Sequence, residues 1–247
     1  MQGDNIYQSE RQNRFSNMSK VDNVHIVHVF TDKDGEFGSP TGIVIDEQQE
    51  LSPERRQEIT RQLGFSETVF INDLEECDVS IFALQNEIPF AGAPLVGTAW
   101  YLGKLKGNPI SSVICQGNKI EVLHEDDLTW IVTDNLSTLP VWNFKEFANQ
   151  DIVDNLSSSD EAVQEHTYAW AWIDKGLKVG KIRARTFAPD WGIIEEEANG
   201  SGSMLLALQL GRNLLIKHGQ GSYIRAVAGS TGVGVGGVVV EATGQKI

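Results

Sequence analysis

Short β-branched or alternating apolar runs, separated by turn-rich segments, make up most of this chain. Two stretches break the rhythm by being apolar on every side. In residues 88–102, Leu95, Val96, Ala99, Trp100 and Leu102 leave almost no polar face, and residues 204–215 repeat the design. A helix apolar all round belongs inside a core. The pattern therefore predicts buried helices over residues 94–105 and 204–218. Each is approached through small residues, at Gly92 and at Gly200 and Ser201. There a backbone can come close to a ligand while unpaired helix amides point outward, which favours an anion. Two copies of one design predict two related half-domains.

The remaining pattern supplies the sheets. Strands are expected at 24–30, 41–45, 65–71, 78–84, 110–115, 120–123 and 129–133, and again at 167–173, 181–187, 222–227 and 232–240. His25 and His28 fall on opposite faces of the first strand and are given no catalytic role. Ser52, Pro53 and Glu54 form a helix start, and the helix turns Ile59 and Leu63 inward before stopping at Gly64. Residues 134–159, rich in Asn, Ser and Asp, are expected to hold a short helix around 145–149 and to supply specificity loops. Strand 167–173 should carry its aromatics on one face, and strand 181–187 should have one wet side. The order is not strict βαβ alternation, so the reading is α+β with mixed, curved sheets around two central helices. The boundary is expected near 105–109. Residues 18–106 would form the N-terminal half-domain, joined by a returning last strand at about 240–247, and residues 107–239 the C-terminal one. Residues 1–17 are polar and aperiodic and read as a disordered extension or an expression remnant, with Met18 a candidate natural start.

Charge narrows the partners. Among 247 residues, 20 Lys and Arg stand against 34 Asp and Glu, a formal charge of −14. Such a chain repels phosphate backbones, so no nucleic-acid partner is expected. The two cysteines, Cys77 and Cys115, lie outside any metal-binding spacing and read as buried reduced thiols, with no metal site. No apolar run approaches the ~18 residues of a membrane span, and a signal-type apolar region is missing, so the expectation is a cytoplasmic protein without a membrane partner.

Four motifs in register resemble the phenazine-biosynthesis PhzF-like family. They are Val29-Phe-Thr-Asp32 with Gly38-Ser-Pro40, Ser66-Glu-Thr-Val-Phe70, the stretch from Ile88 to Ala99, and Phe187-Ala-Pro189 followed by Glu195-Glu-Glu-Ala-Asn-Gly-Ser201. The resemblance implies the diaminopimelate-epimerase-like fold, in which two pseudo-symmetric halves each wrap a curved sheet around a helix, with the active site in the cleft between. It also implies a homodimer. By the same resemblance Glu67 is the general acid/base, while Glu196 and Ser201 orient substrate. Gly92, Ala93, Asn199, Gly200 and Ser201 would bind it, their amides holding its carboxylate. Three positions depart from the family pattern. Ala93 stands where a histidine is usual, Glu196 where an aspartate is, and Asn199 where a threonine is.

The leading expectation is an isomerase that moves a proton on a small carboxylate-bearing metabolite with no metal or organic cofactor. A carboxyl in a closed apolar cleft has a raised pKa suited to that task. The alternative is a catalytically silent relative that binds a small anion or a partner, favoured by the loss of the cleft histidine. An amino-acid racemase would need two thiols where this chain has Ala93 and Ser201. A Rossmann-type cofactor site is excluded because Gly232–Gly237 has no helix after it.

Overall fold

The computed structural model describes residues 24–230 and 232–242. The extension expected at 1–17 and the last part of the expected final strand, 243–247, lie outside the described residues. In chain order come β1 (Val24–Thr31), β2 (Ser39–Ile45), α1 (Pro53–Leu63), β3 (Glu67–Asp73), β4 (Asp78–Ala83), β5 (Glu87–Ile88) and α2 (Gly92–Lys106). Next are β6 (Ser112–Cys115), β7 (Asn118–Glu125), β8 (Leu128–Thr133), β9 (Asn143–Glu146), α3 (Gln150–Asp154), β10 (Thr167–Asp174) and β11 (Val179–Ala188). Then follow β12 (Ile193–Glu196), α4 (Gly200–Leu210), β13 (Asn213–His218), β14 (Ser222–Gly229) and β15 (Gly232–Glu241).

Eight strands form a closed ring in the order β1-β2-β3-β4-β6-β7-β8-β15, because β15 pairs antiparallel with both β8 and β1. Helix α2 packs on β1, β2, β3, β6, β8 and β15. Its residues Leu95, Val96, Ala99 and Leu102 lose all contact with water. The apolar circumference read from the sequence is thus matched by a sheet on every side. The second sheet runs β15-β14-β13-β11-β10-β9, with β12 bonded to β11. Helix α4 packs on β13, β14 and β15. This sheet ends at β9, so the last turn of α4 meets water at Leu208, 40% exposed. The fold is α+β, as the pattern of the chain predicts.

Several local expectations are corrected. The expected division at 105–109 is not where strand pairing changes. β6 pairs parallel with β4, and β7 and β8 stay in the first ring, so the change falls between β8 and β9. β15 joins both sheets: residues up to Gly236 pair with β14, and Val238–Glu241 pair with β1. The second buried helix does not extend to 218. Gly211 ends it with a left-handed φ of 62° and an N–H bonded to Ala207 and Leu208 carbonyls. Residues 213–218 then alternate in burial as β13. Residues 143–146 are strand rather than helix, and the short helix lies at Gln150–Asp154.

The wet side expected for β11 is exposed at Lys181 and covered beyond it. Arg183 is buried, with its Nε 2.6 Å from Asp154 Oδ1 and an Nη 2.5 Å from the Gly219 carbonyl oxygen. Arg185 donates to the carbonyls of Val153 and Leu156 and to Glu195. Guanidinium groups can be buried when carboxylate and carbonyl oxygens take up their five donors.

Candidate active site

The two central helices meet end to end. A methyl group placed on Gly92 would come within 2.7 Å of the Gly200 Cα, and one on Gly200 within 2.9 Å of the Gly92 Cα. Only glycine permits that approach. The first amides of both helices therefore converge on one place. No side chain caps α2 at Ala91. At α4 the cap is Asn199, whose Oδ1 accepts from the Gly202 N–H at 2.6 Å. The amides ahead of it belong to Gly200 and Ser201. Each helix terminus contributes about half a positive charge, and here two are superposed.

A cavity of about 400 Å³ opens at this junction, between the two sheets. Glu67, Gly92, Ala93, Glu196, Gly200 and Ser201 all line it, so six of the seven expected site residues share one pocket. Asn199 does not line it. It is buried behind the wall, where its Nδ2 donates to Glu196 Oε2 at 2.7 Å. One amide side chain thus fixes a carboxyl and caps a helix together. Ala93 is buried and brings only a methyl group to the wall.

Glu67 opens β3, whose following residues Thr68, Val69 and Phe70 are buried in the ring. Its own carboxyl turns into the cavity, and no Lys, Arg or His is among the lining residues. Burial without a balancing cation pushes Glu67 up to about 7. Glu196, at the end of β12, is held well above the usual carboxylate range. Burial is the main cause and the charge of Glu67 the second, with the Asn199 hydrogen bond opposing both. Two carboxyls buried in one cavity cannot both ionise cheaply, so the pair holds on to a proton more tightly than free carboxylates do. Ser201 Oγ accepts a long bond of 3.4 Å from Trp142 Nε1 and lies 3.4 Å from Asn199 Oδ1.

The sequence did not single out the far wall. Thr138, Pro140 and Trp142 line it, all from the 134–159 stretch. Trp191 and Ile193 also line it, as do Gln85 and Asn86 from the β4–β5 turn. The one available signal was a second tryptophan-bearing segment directly before the glutamate run. Neither cysteine approaches the cavity: both are buried elsewhere, and Cys115 is pushed up to about 12, chiefly by burial.

The family model described as phenazine biosynthesis-like protein matches residues 27–120, the part that carries Glu67 and Gly92. A trans-2,3-dihydro-3-hydroxyanthranilate isomerase of Pseudomonas chlororaphis is 26% identical over 223 residues, covering 74% of this chain and 78% of its own. Its Pseudomonas aeruginosa counterpart is 25% identical over 217 residues, with the same coverage. Among solved structures, a phenazine-biosynthesis PhzC/PhzF protein of Clostridium difficile superposes with a TM-score of 0.69 at 17% identity, covering 91% of this chain and 98% of that one. A hydroxyproline epimerase of Agrobacterium vitis gives 0.55 at 11% identity, covering 89% and 90%. Four motifs in register, two sheets around abutting helices and these likenesses agree: the chain is similar to the phenazine-biosynthesis PhzF-like proteins in fold and, over residues 27–120, in sequence.

Proposed function

We propose that the protein is an isomerase that shifts a proton between two carbons of a small carboxylate-bearing metabolite, with Glu67 as general acid/base and no cofactor. One observation carries this reading. Glu67 and Glu196, both raised by burial, line one cavity beside the abutting N-termini of α2 and α4 at Gly92 and Gly200. The isomerase names of the curated relatives support the class. The amides of Gly92, Ala93, Gly200 and Ser201 would hold the substrate carboxylate. Ionised Glu67 would take a proton from a carbon conjugated with it. The C–H electron pair then moves into the conjugated system, and the negative charge that develops at the carboxylate is stabilised by the amides. Glu67 would return the proton at the other end of the shifted double bond. A group with a pKa of about 7 suits both halves of that exchange near neutral pH. Protonated Glu196, anchored by Asn199, would orient the ligand as a hydrogen-bond donor.

The test is incorporation of solvent deuterium at carbon across a panel of small unsaturated or hydroxylated carboxylic acids. Glu67→Gln should lower exchange by about 10²–10⁴-fold, the usual worth of a positioned acid/base. Glu196→Gln should cost less. Full activity in Glu67→Gln would overturn the assignment. The buried methyl of Ala93, which adds no donor to the cavity, favours a second reading, a silent anion binder. Tight ligand binding without any exchange would establish that reading instead.

A further inference from the structure

The outer wall of the cavity is a connected aromatic assembly. The Trp142 and Trp191 rings meet at 4.9 Å and an interplanar angle of 61°. Behind Trp191, the His166 ring lies parallel to it, at 4.7 Å and 11°. His166 Nδ1 is 2.7 Å from Asp190 Oδ2. One imidazole thus grips two consecutive residues of the single helical turn Pro189–Trp191 that carries the wall. From the opposite half of the molecule, Gln85 Nε2 donates to the Trp191 carbonyl at 3.2 Å. Trp142 is anchored in turn through its Nε1 to Ser201, beside the converging amides. Both rings are thus held by fixed contacts, and both residues line the cavity.

The same space holds one cradle for one anion, at Gly92, Ala93, Gly200 and Ser201, and among the described residues the only charged groups lining it are the carboxyls of Glu67 and Glu196. A second anionic group would find no cation there and would meet Glu67 and Glu196. We propose, resting on the isomerase reading for the location of the carboxylate, that Trp142 and Trp191 are the specificity-determining residues of this site. They select a flat, ring-bearing monocarboxylate by stacking, and His166 is the positioning residue that holds Trp191 in place.

Binding of three probes, benzoate, cyclohexanecarboxylate and pentanoate, measured by calorimetry, tests this. Aromatic pairing is worth about 0.5–1.5 kcal/mol beyond burial, so benzoate should bind about 2- to 12-fold more tightly than cyclohexanecarboxylate. Trp191→Leu should bring that ratio close to one. His166→Ala should lower it, and His166→Phe, which keeps the stack, should restore it. A merely structural role for His166 would weaken all probes equally and leave the ratio unchanged. Trp142→Phe, which preserves a ring but loses the bond to Ser201, should keep part of the preference. A ratio insensitive to Trp191→Leu and His166→Ala, pentanoate binding as tight as benzoate, or no binding of any probe overturns the proposal. The two readings fail separately. A wall-dependent ratio without deuterium exchange on any acid removes the isomerase and leaves the wall. Exchange confined to acyclic acids and indifferent to Trp191→Leu does the reverse.

Discussion

At the scale of single residues, the candidate site depends on a glutamate that is expensive to ionise. Glu67 has a folded pKa of about 7 against an ordinary value of 4.5. Between those values the folded protein binds more protons than the unfolded chain. Stability therefore falls as pH rises through that window, and the loss is complete above 7. Glu67→Gln removes this liability. The variant should exceed the parent in stability at pH 8 by about 1–3 kcal/mol and match it near pH 4, as read from urea midpoints at the two pH values. A variant no more stable at pH 8 would mean that Glu67 is better solvated than its place in the cavity indicates. The position of Glu67 was legible in the sequence because Ser66-Glu-Thr-Val-Phe70 is a motif. Trp191 and His166 were not, because their pairing joins the bend before β10 to the helical turn Pro189–Trp191 after β11, and no local period marks it. Asn199 was expected to bind substrate. Its amide is instead spent inward, on Glu196 and the helix cap, a distinction that only the packing reveals.

At the scale of elements, apolar circumference was a faithful guide to where the helices lie and a poor guide to where they end. Residues 204–218 read as one apolar run, yet Gly211 stops the helix and β13 takes over the remaining apolar residues. A buried helix and a buried strand share a composition, and only the left-handed glycine separates them. Arg183 and Arg185 misled in the same way, since charge on one face of a strand suggested water where α3 supplies carbonyls. The contact of the two helix ends can be tested directly. Gly200→Ala places a methyl against the backbone of Gly92, which cannot rotate away. It should cost about 1–3 kcal/mol and weaken carboxylate binding at the cradle. Gly103→Ala in α2 meets its neighbours only at 3.5 Å or more. It should be neutral or stabilising by up to ~1 kcal/mol, which makes it the control. Equal thermal shifts in the two variants would contradict the close approach.

At the scale of the whole molecule, the family resemblance leads us to propose a homodimer. Light scattering across a concentration series should give twice the 27.2 kDa chain mass. A monomer at high concentration would overturn it. The two central helices were legible because they repeat a design. The strand order was not, since nothing in a local pattern says that β6, β7 and β8 return to the first ring. That β15 serves both sheets has a consequence in time. On the ribosome, β1 and β8 emerge long before the strand that must lie between them. The intervening stretch of roughly 100 residues takes about 5–20 s to synthesise. If β1–β8 assemble in that interval, they would form an open sheet with two unpaired edges, the arrangement most inviting to other chains. The strand that closes the ring also joins the sheet under α4, so the pocket between α2 and α4 needs β15 for its frame. A binding site made of Glu67 and Gly92 from one half and Glu196 and Gly200 from the other would thus be complete only in the last part of synthesis, once the closing strand arrives.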